Sequence, residues 1–191
     1  MRTIRLDENP LQIGVFGSGT VDEACYKLAF DVGHEIARQG HIVVNGGHGG
    51  VMEASGHGCA EGGGLVVGVM PGNEFSDGNP HSTIKILTGM QYARNYINGL
   101  SVHGAIVVAG SSGAYEEARR VWEGRGPVVV LADSGSPTGA ASTIIERQDR
   151  FGLAFPEDKP KPWKIFVGQT PKECVELVVD LIRKGYPSNE V

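Results

Sequence analysis

The chain has 191 residues, 40 % of them apolar, which is enough for one substantial core, so one domain over residues 1–191 is expected. Its formal net charge is −5 with Lys and Arg scattered, which leaves no basic footprint for nucleic acid or for an anionic membrane surface. The N-terminus lacks the apolar core of a secretory signal and no stretch approaches a membrane span; Cys25, Cys59 and Cys174 are odd in number and lack metal-ligand spacing, so reduced thiols in a cytoplasmic protein are expected.

Glycine is the unusual residue, 29 in all, about twice average usage. Many of these glycines follow apolar strand-like runs, where a backbone must turn tightly or approach a ligand. Residues 12–16 form such a run and end at Gly17-Ser18-Gly19-Thr20, the pattern of a buried strand and turn. Thr20 and Glu23 stand at capping-box spacing, and Cys25, Leu28, Ala29, Val32 and Ile36 recur at helical spacing until Gly40. Residues 41–44 read as a second strand, and Asn45-Gly46-Gly47-His48-Gly49-Gly50 leads into a helix over 51–61. A third strand follows over 65–69, then a long loop over 71–83, a short strand over 84–87 and a helix over 90–101.

Residues 105–108 are the next buried strand, followed by Ala109-Gly110-Ser111-Ser112-Gly113 and a helix over 114–123. Residues 127–131 form another apolar run. A loop-rich segment reaches Pro162, 164–167 is a last short strand, and Thr170-Pro171-Lys172-Glu173 opens a helix that ends near Lys184. Alternating strands and helices predict a Rossmann-like, doubly wound α/β fold with a mainly parallel sheet and helices on both faces. Ligands of such sheets sit outside the carboxyl ends of the strands at a topological switch point, the edge where all three glycine-rich turns would lie.

Each motif has a functional reading and a plainer one. The N–H groups of Gly46, Gly47, His48, Gly49 and Gly50 at a helix N-terminus suit a phosphate; close strand–helix packing alone would also call for glycine. Glu117, in the first turns of its helix, is stabilised by the helix dipole whatever its role, yet a carboxylate beside an oxyanion-binding turn could act on a proton or a developing cation. Arg94 is by default a solvated surface residue, and its planar fork of donors equally makes a phosphate clamp. Among the six histidines only His48 stands in a ligand-contact position, and no metal site is indicated. Gly17-Ser18-Gly19 lacks the third glycine of a dinucleotide fingerprint, so NAD is not the first choice.

Taken together these residues resemble the LONELY GUY and molybdenum-cofactor-carrier superfamily of lysine decarboxylase-like Rossmann proteins, over residues 13–182. Gly14-Val15-Phe16-Gly17-Ser18 resembles its opening strand and turn, Asn45 to Met52 its GGGxxGLM segment, and Ala109 to Glu117 its PGGxGTxxE signature. Thr88-Gly89-Met90-Gln91-Tyr92-Ala93-Arg94-Asn95 is similar to the carrier-like branch; Asn95 stands where the cytokinin-activating branch has lysine. Asn45 replaces a motif glycine, and Ala109, Ser111 and Ala114 replace the proline, a glycine and the threonine of the second signature.

The resemblance implies a nucleotide-binding protein with Arg94 and Glu117 as catalytic residues for N-glycosidic hydrolysis of a nucleoside 5′-monophosphate. The alternative it carries is a non-catalytic carrier or sensor of molybdenum cofactor or a nucleotide. Gly17, Ser18, Gly46, Gly47, His48, Gly49, Gly50, Met90, Gly110, Ser111, Ser112, Gly113 and Ala114 are the expected ligand contacts, with no cofactor required for chemistry. A homodimer is expected, with Tyr92, Tyr96 and Ile97 of the 90–101 helix as interface candidates; the plainer reading turns them into the core.

Overall fold

The computed structural model describes residues 4–110, 112–124, 126–135, 139–146 and 165–185. Its strands are β1 (Gln12–Gly17), β2 (Ile42–Asn45), β3 (Leu65–Met70), β4 (Ile84–Leu87), β5 (Gly104–Val108), β6 (Val128–Leu131) and β7 (Phe166–Gly168). They form a seven-stranded, wholly parallel sheet in the order β4-β3-β2-β1-β5-β6-β7. The helices are α1 (Glu23–Arg38), α2 (Val51–Glu61), α3 (Arg94–Leu100), α4 (Ser112–Glu123), α5 (Ala140–Glu146) and α6 (Pro171–Arg183).

Strand alternation divides the core in two. In the register Val15↔Ile106 and Phe16↔Val107, Val15 and Ile106 join Ile13 and Val43 beneath α1, α2 and α6, while Phe16 and Val107 join Ala118, Trp122 and Ile144 beneath α4 and α5. Helices therefore cover both faces, and the runs read as continuous apolar strands because both sides are buried. Cys25, Cys59 and Cys174 are free thiols buried as small residues of the core. No helix among the described residues is long and apolar enough to cross a membrane.

Several local expectations change. The N-cap of α1 is Asp22, which accepts from the Cys25 N–H at 2.8 Å, rather than Thr20; a carboxylate cap also complements the helix dipole. The expected 90–101 helix is broken, because Gln91 has φ +50° after Gly89 at +64°, and only a 3₁₀ turn, Gln91–Ala93, precedes α3. The 114–123 helix starts earlier, at Ser112. Within the loop-rich segment Ala140–Glu146 is helical, its first N–H groups meeting carbonyls of Gly110 and Ala109 at 3.0 and 2.9 Å. Lys164 and Pro162 lie outside the described residues.

Strands β1 to β4 progress in one direction, and β5 returns to the other side of β1. The switch point thus falls between the carboxyl ends of β1 and β5.

Candidate ligand site

Three turns and one helix meet at that edge. After β1, the Ser18 carbonyl accepts from the Val51 N–H at 2.9 Å, tying the first turn to the start of α2. After β2, Asn45 is fully buried: its Oδ1 accepts from the Gly47 N–H at 2.9 Å and its Nδ2 donates to the Met52 carbonyl at 2.9 Å and Ser55 Oγ at 3.2 Å. The departure from glycine at 45 is therefore a staple that holds the turn. Asn79, from the long loop, donates to the His48 carbonyl at 2.9 Å, and its own N–H bonds the Gly47 carbonyl at 2.8 Å. After β5, Ala109 (φ +51°) and Gly110 (φ +106°) turn the chain into α4, with the Ala109 N–H held by the buried Ser134 hydroxyl at 2.8 Å.

The polar centre comes from α3 and α4. Arg94 is only 8 % exposed, not a solvated residue, and Glu117 is 5 % exposed. Arg94 Nη1 donates to Glu117 Oε1 at 2.5 Å and also to Asn95 Oδ1, and Asn98 Nδ2 donates to the same Glu117 oxygen at 2.6 Å. Arg94 Nε has no hydrogen-bond partner among the described residues. Burial pushes the Glu117 carboxyl above its ordinary value, against the pull of the Arg94 charge and the donors from Asn98 and Arg94. Gly46 makes room for this arginine: a Cβ there would lie 2.5 Å from Arg94 Nη2.

Beside this pair opens a cavity of about 450 Å³, within the range of small-molecule sites. Of the expected contacts, Gly17, His48, Arg94, Gly113, Ala114 and Glu117 line it. Ser18, Gly46, Gly47, Gly49, Gly50, Gly110 and Ser112 are not among its lining residues. Met90 instead edges a neighbouring outer groove with Tyr96 and Ile97. Ser111 lies outside the described residues. Sequence reading missed Gly19, Met52, Pro71, Gln91, Tyr92 and Asn95 as lining residues. The left-handed Gln91, its N–H bonded to the Pro71 carbonyl at 3.0 Å, marks the wall segment, and no sequence motif announced it.

His57 stacks on His81 with ring centroids 4.4 Å apart, away from the cavity, and His41 is buried at the start of β2. Among the described residues no group of three or more His, Cys, Asp or Glu side chains is placed to hold a metal ion.

The fold and this cavity define a Rossmann-like α/β protein with a candidate ligand site at the switch point of its sheet. The chain matches the SLOG cluster4 family over residues 10–159 and belongs to that family. An uncharacterized protein of Archaeoglobus fulgidus is 42 % identical over 132 residues, covering 63 % of this chain and 83 % of its own. The structure of the Moco carrier protein from Chlamydomonas reinhardtii is similar at 29 % identity, with a TM-score of 0.74 and coverage of 92 % and 99 % of the two chains. A molybdenum cofactor binding protein from Rippkaea orientalis, 24 % identical, shares the fold at a TM-score of 0.76 with the same coverage. DNA processing protein A from Helicobacter pylori, at 13 % identity and a TM-score of 0.65 over 90 % of this chain and 81 % of its own, shares the fold alone.

Proposed function

We propose that the protein binds a phosphorylated pterin or nucleotide-type ligand, molybdenum cofactor first among them, and carries it without turnover. The observation that carries this reading is the Arg94–Glu117 pair: Glu117 lines the cavity, but one oxygen of the carboxylate that hydrolysis would need, Oε1, is tied to both Arg94 and Asn98. A glycosidic hydrolase needs a carboxylate free to stabilise an oxocarbenium-like centre or to activate water. A carrier needs a preformed pocket with donors for an anion and a flat wall for a ring, and Tyr92 and Pro71 supply such a wall. The Chlamydomonas reinhardtii relative, named as a carrier of this cofactor, supports the same reading.

The test incubates purified protein with molybdenum cofactor released from a purified molybdoenzyme, and separately with a panel of nucleoside 5′-monophosphates, then separates bound and free species by chromatography. Retention of intact ligand is expected. Appearance of free base and ribose 5-phosphate would reinstate hydrolysis.

Self-association is part of the proposal. Tyr92, exposed to 85 %, lines the cavity, and Met90, Tyr92 and Tyr96 are exposed apolar side chains along the neighbouring groove, which the half-buried Ile97 also lines. Such a patch on a small protein marks an interaction surface. Sedimentation analysis reporting only monomer at micromolar concentration would reject it.

A further inference from the structure

We propose that Asn95 is a specificity-determining residue of this site, its Nδ2 donating to an anionic oxygen of the ligand, and that residue 113 is glycine to leave that oxygen room. The inference rests on reading the cavity as the site of a phosphate-bearing ligand, and adds which side chain recognises the anionic group.

Asn95 is 8 % exposed, yet its amide is only half used. Oδ1 accepts from Arg94 Nη1, which fixes the orientation of the amide, because an arginine nitrogen only donates. Nδ2 has no hydrogen-bond partner among the described residues, and Asn95 lines the cavity. The side chain is largely buried, and the cavity that Asn95 lines is where a partner for this donor would stand.

Gly113 faces that nitrogen. It lies in the first turn of α4 and its φ is not left-handed, so its backbone does not ask for glycine. Packing among the described residues does not ask for it either: there a Cβ at 113 would meet only Asn95 Nδ2, at 3.7 Å, an ordinary contact. Alanine is the better residue inside a helix, so glycine here sacrifices stability. Space at this point serves what occupies the cavity.

Charge sharpens the role. Arg94 is matched by Glu117, so the ligand's anionic group is met at this point by neutral donors. Replacing Asn95 by aspartate keeps the shape and the acceptor for Arg94, but removes the donor and puts a negative charge where the anion should sit.

The experiment measures binding of guanosine 5′-monophosphate, guanosine, and molybdenum cofactor released from a purified molybdoenzyme to wild type, Asn95→Asp and Gly113→Ala, with thermal unfolding of each. Gly113→Ala should melt at or above the wild-type temperature yet bind the phosphorylated probes about tenfold or more weakly. Asn95→Asp should lose at least as much, and its preference for the monophosphate over guanosine should shrink. If wild type binds a phosphorylated probe and Gly113→Ala binds it within about twofold, the inference is overturned while the ligand site stands. If wild type binds none of the probes, the ligand reading itself fails and this inference with it. Should Asn95→Asp not fold, Gly113→Ala alone decides.

Discussion

Where α1 crosses α2, Gly33 and Gly58 bring two helix backbones together: a Cβ at Gly33 would lie 1.9 Å from the Ser55 carbonyl oxygen, and one at Gly58 2.0 Å from that of Phe30. At the carboxyl edge of the sheet, Gly19 and Gly113 have room instead, their nearest obstacles being Met52 Cε at 3.8 Å and Asn95 Nδ2 at 3.7 Å. The first pair is glycine because the protein touches itself; the second is glycine although the protein does not require it. A glycine-rich sequence thus mixes a dry packing device with an open binding edge, and only the surroundings of each position separate them.

The largest effect should come from the packed side. Gly33→Ala forces two helices apart and should cost about 3 kcal/mol or more, read as a lowered denaturant midpoint. A loss below about 1 kcal/mol would mean that the crossing yields easily, and the contrast with Gly113 would lose its force.

Next comes the ion pair at the boundary between the two regions. Arg94→Ala leaves Glu117 buried without its counter-charge and should cost about 3–5 kcal/mol, whereas Arg94→Met combined with Glu117→Gln should recover much of that loss. Equal losses in the single and double variants would show that the two charges do not act as a pair.

Smaller again is the strain at the cavity wall. Gln91 holds φ +50°, so Gln91→Gly should raise stability by up to about 1 kcal/mol while removing a side chain from the ligand wall. A loss of stability would argue that the Gln91 side chain holds the 3₁₀ turn.

The mildest probe is chemical. Burial pushes the Cys174 thiol up to about 12 and raises Cys25 as well, so these thiols stay neutral and enclosed. Cys25, Cys59 and Cys174 should resist alkylation at mildly alkaline pH until the protein is unfolded. Fast labelling of Cys25 in the native protein would reveal that the packed side opens.

The doubly wound sheet was legible because apolar runs and turn residues alternate along the chain, and periodicity reports burial directly. Helix starts were less so: Thr20 and Asp22 both suit a cap, and only the path of the chain selects Asp22. The helix Ala140–Glu146 sits in a segment rich in Ser, Thr, Gly and Pro, and its backbone contacts with Ala109 and Gly110 are tertiary. At the site, Arg94 and Glu117 could be named from their motif positions, but their mutual pairing could not. Asn45 read as a lost glycine and proved to be a buried staple, because its role depends on Met52 and Ser55, a helix turn away. Asn95 stood out in its motif only as the replacement of a lysine; its place on the cavity wall depends on a neighbouring arginine and a facing glycine, which sequence spacing does not bring together.

The central claim is that this edge of the sheet holds a phosphorylated ligand and leaves it intact. The direct measurement is to incubate purified protein with stoichiometric molybdenum cofactor and, in parallel, with excess guanosine and adenosine 5′-monophosphates, and to quantify bound ligand and products over hours. Near-stoichiometric retention of the cofactor with the nucleotides unchanged is predicted. Catalytic release of free base and ribose 5-phosphate, abolished in Glu117→Gln, would contradict it.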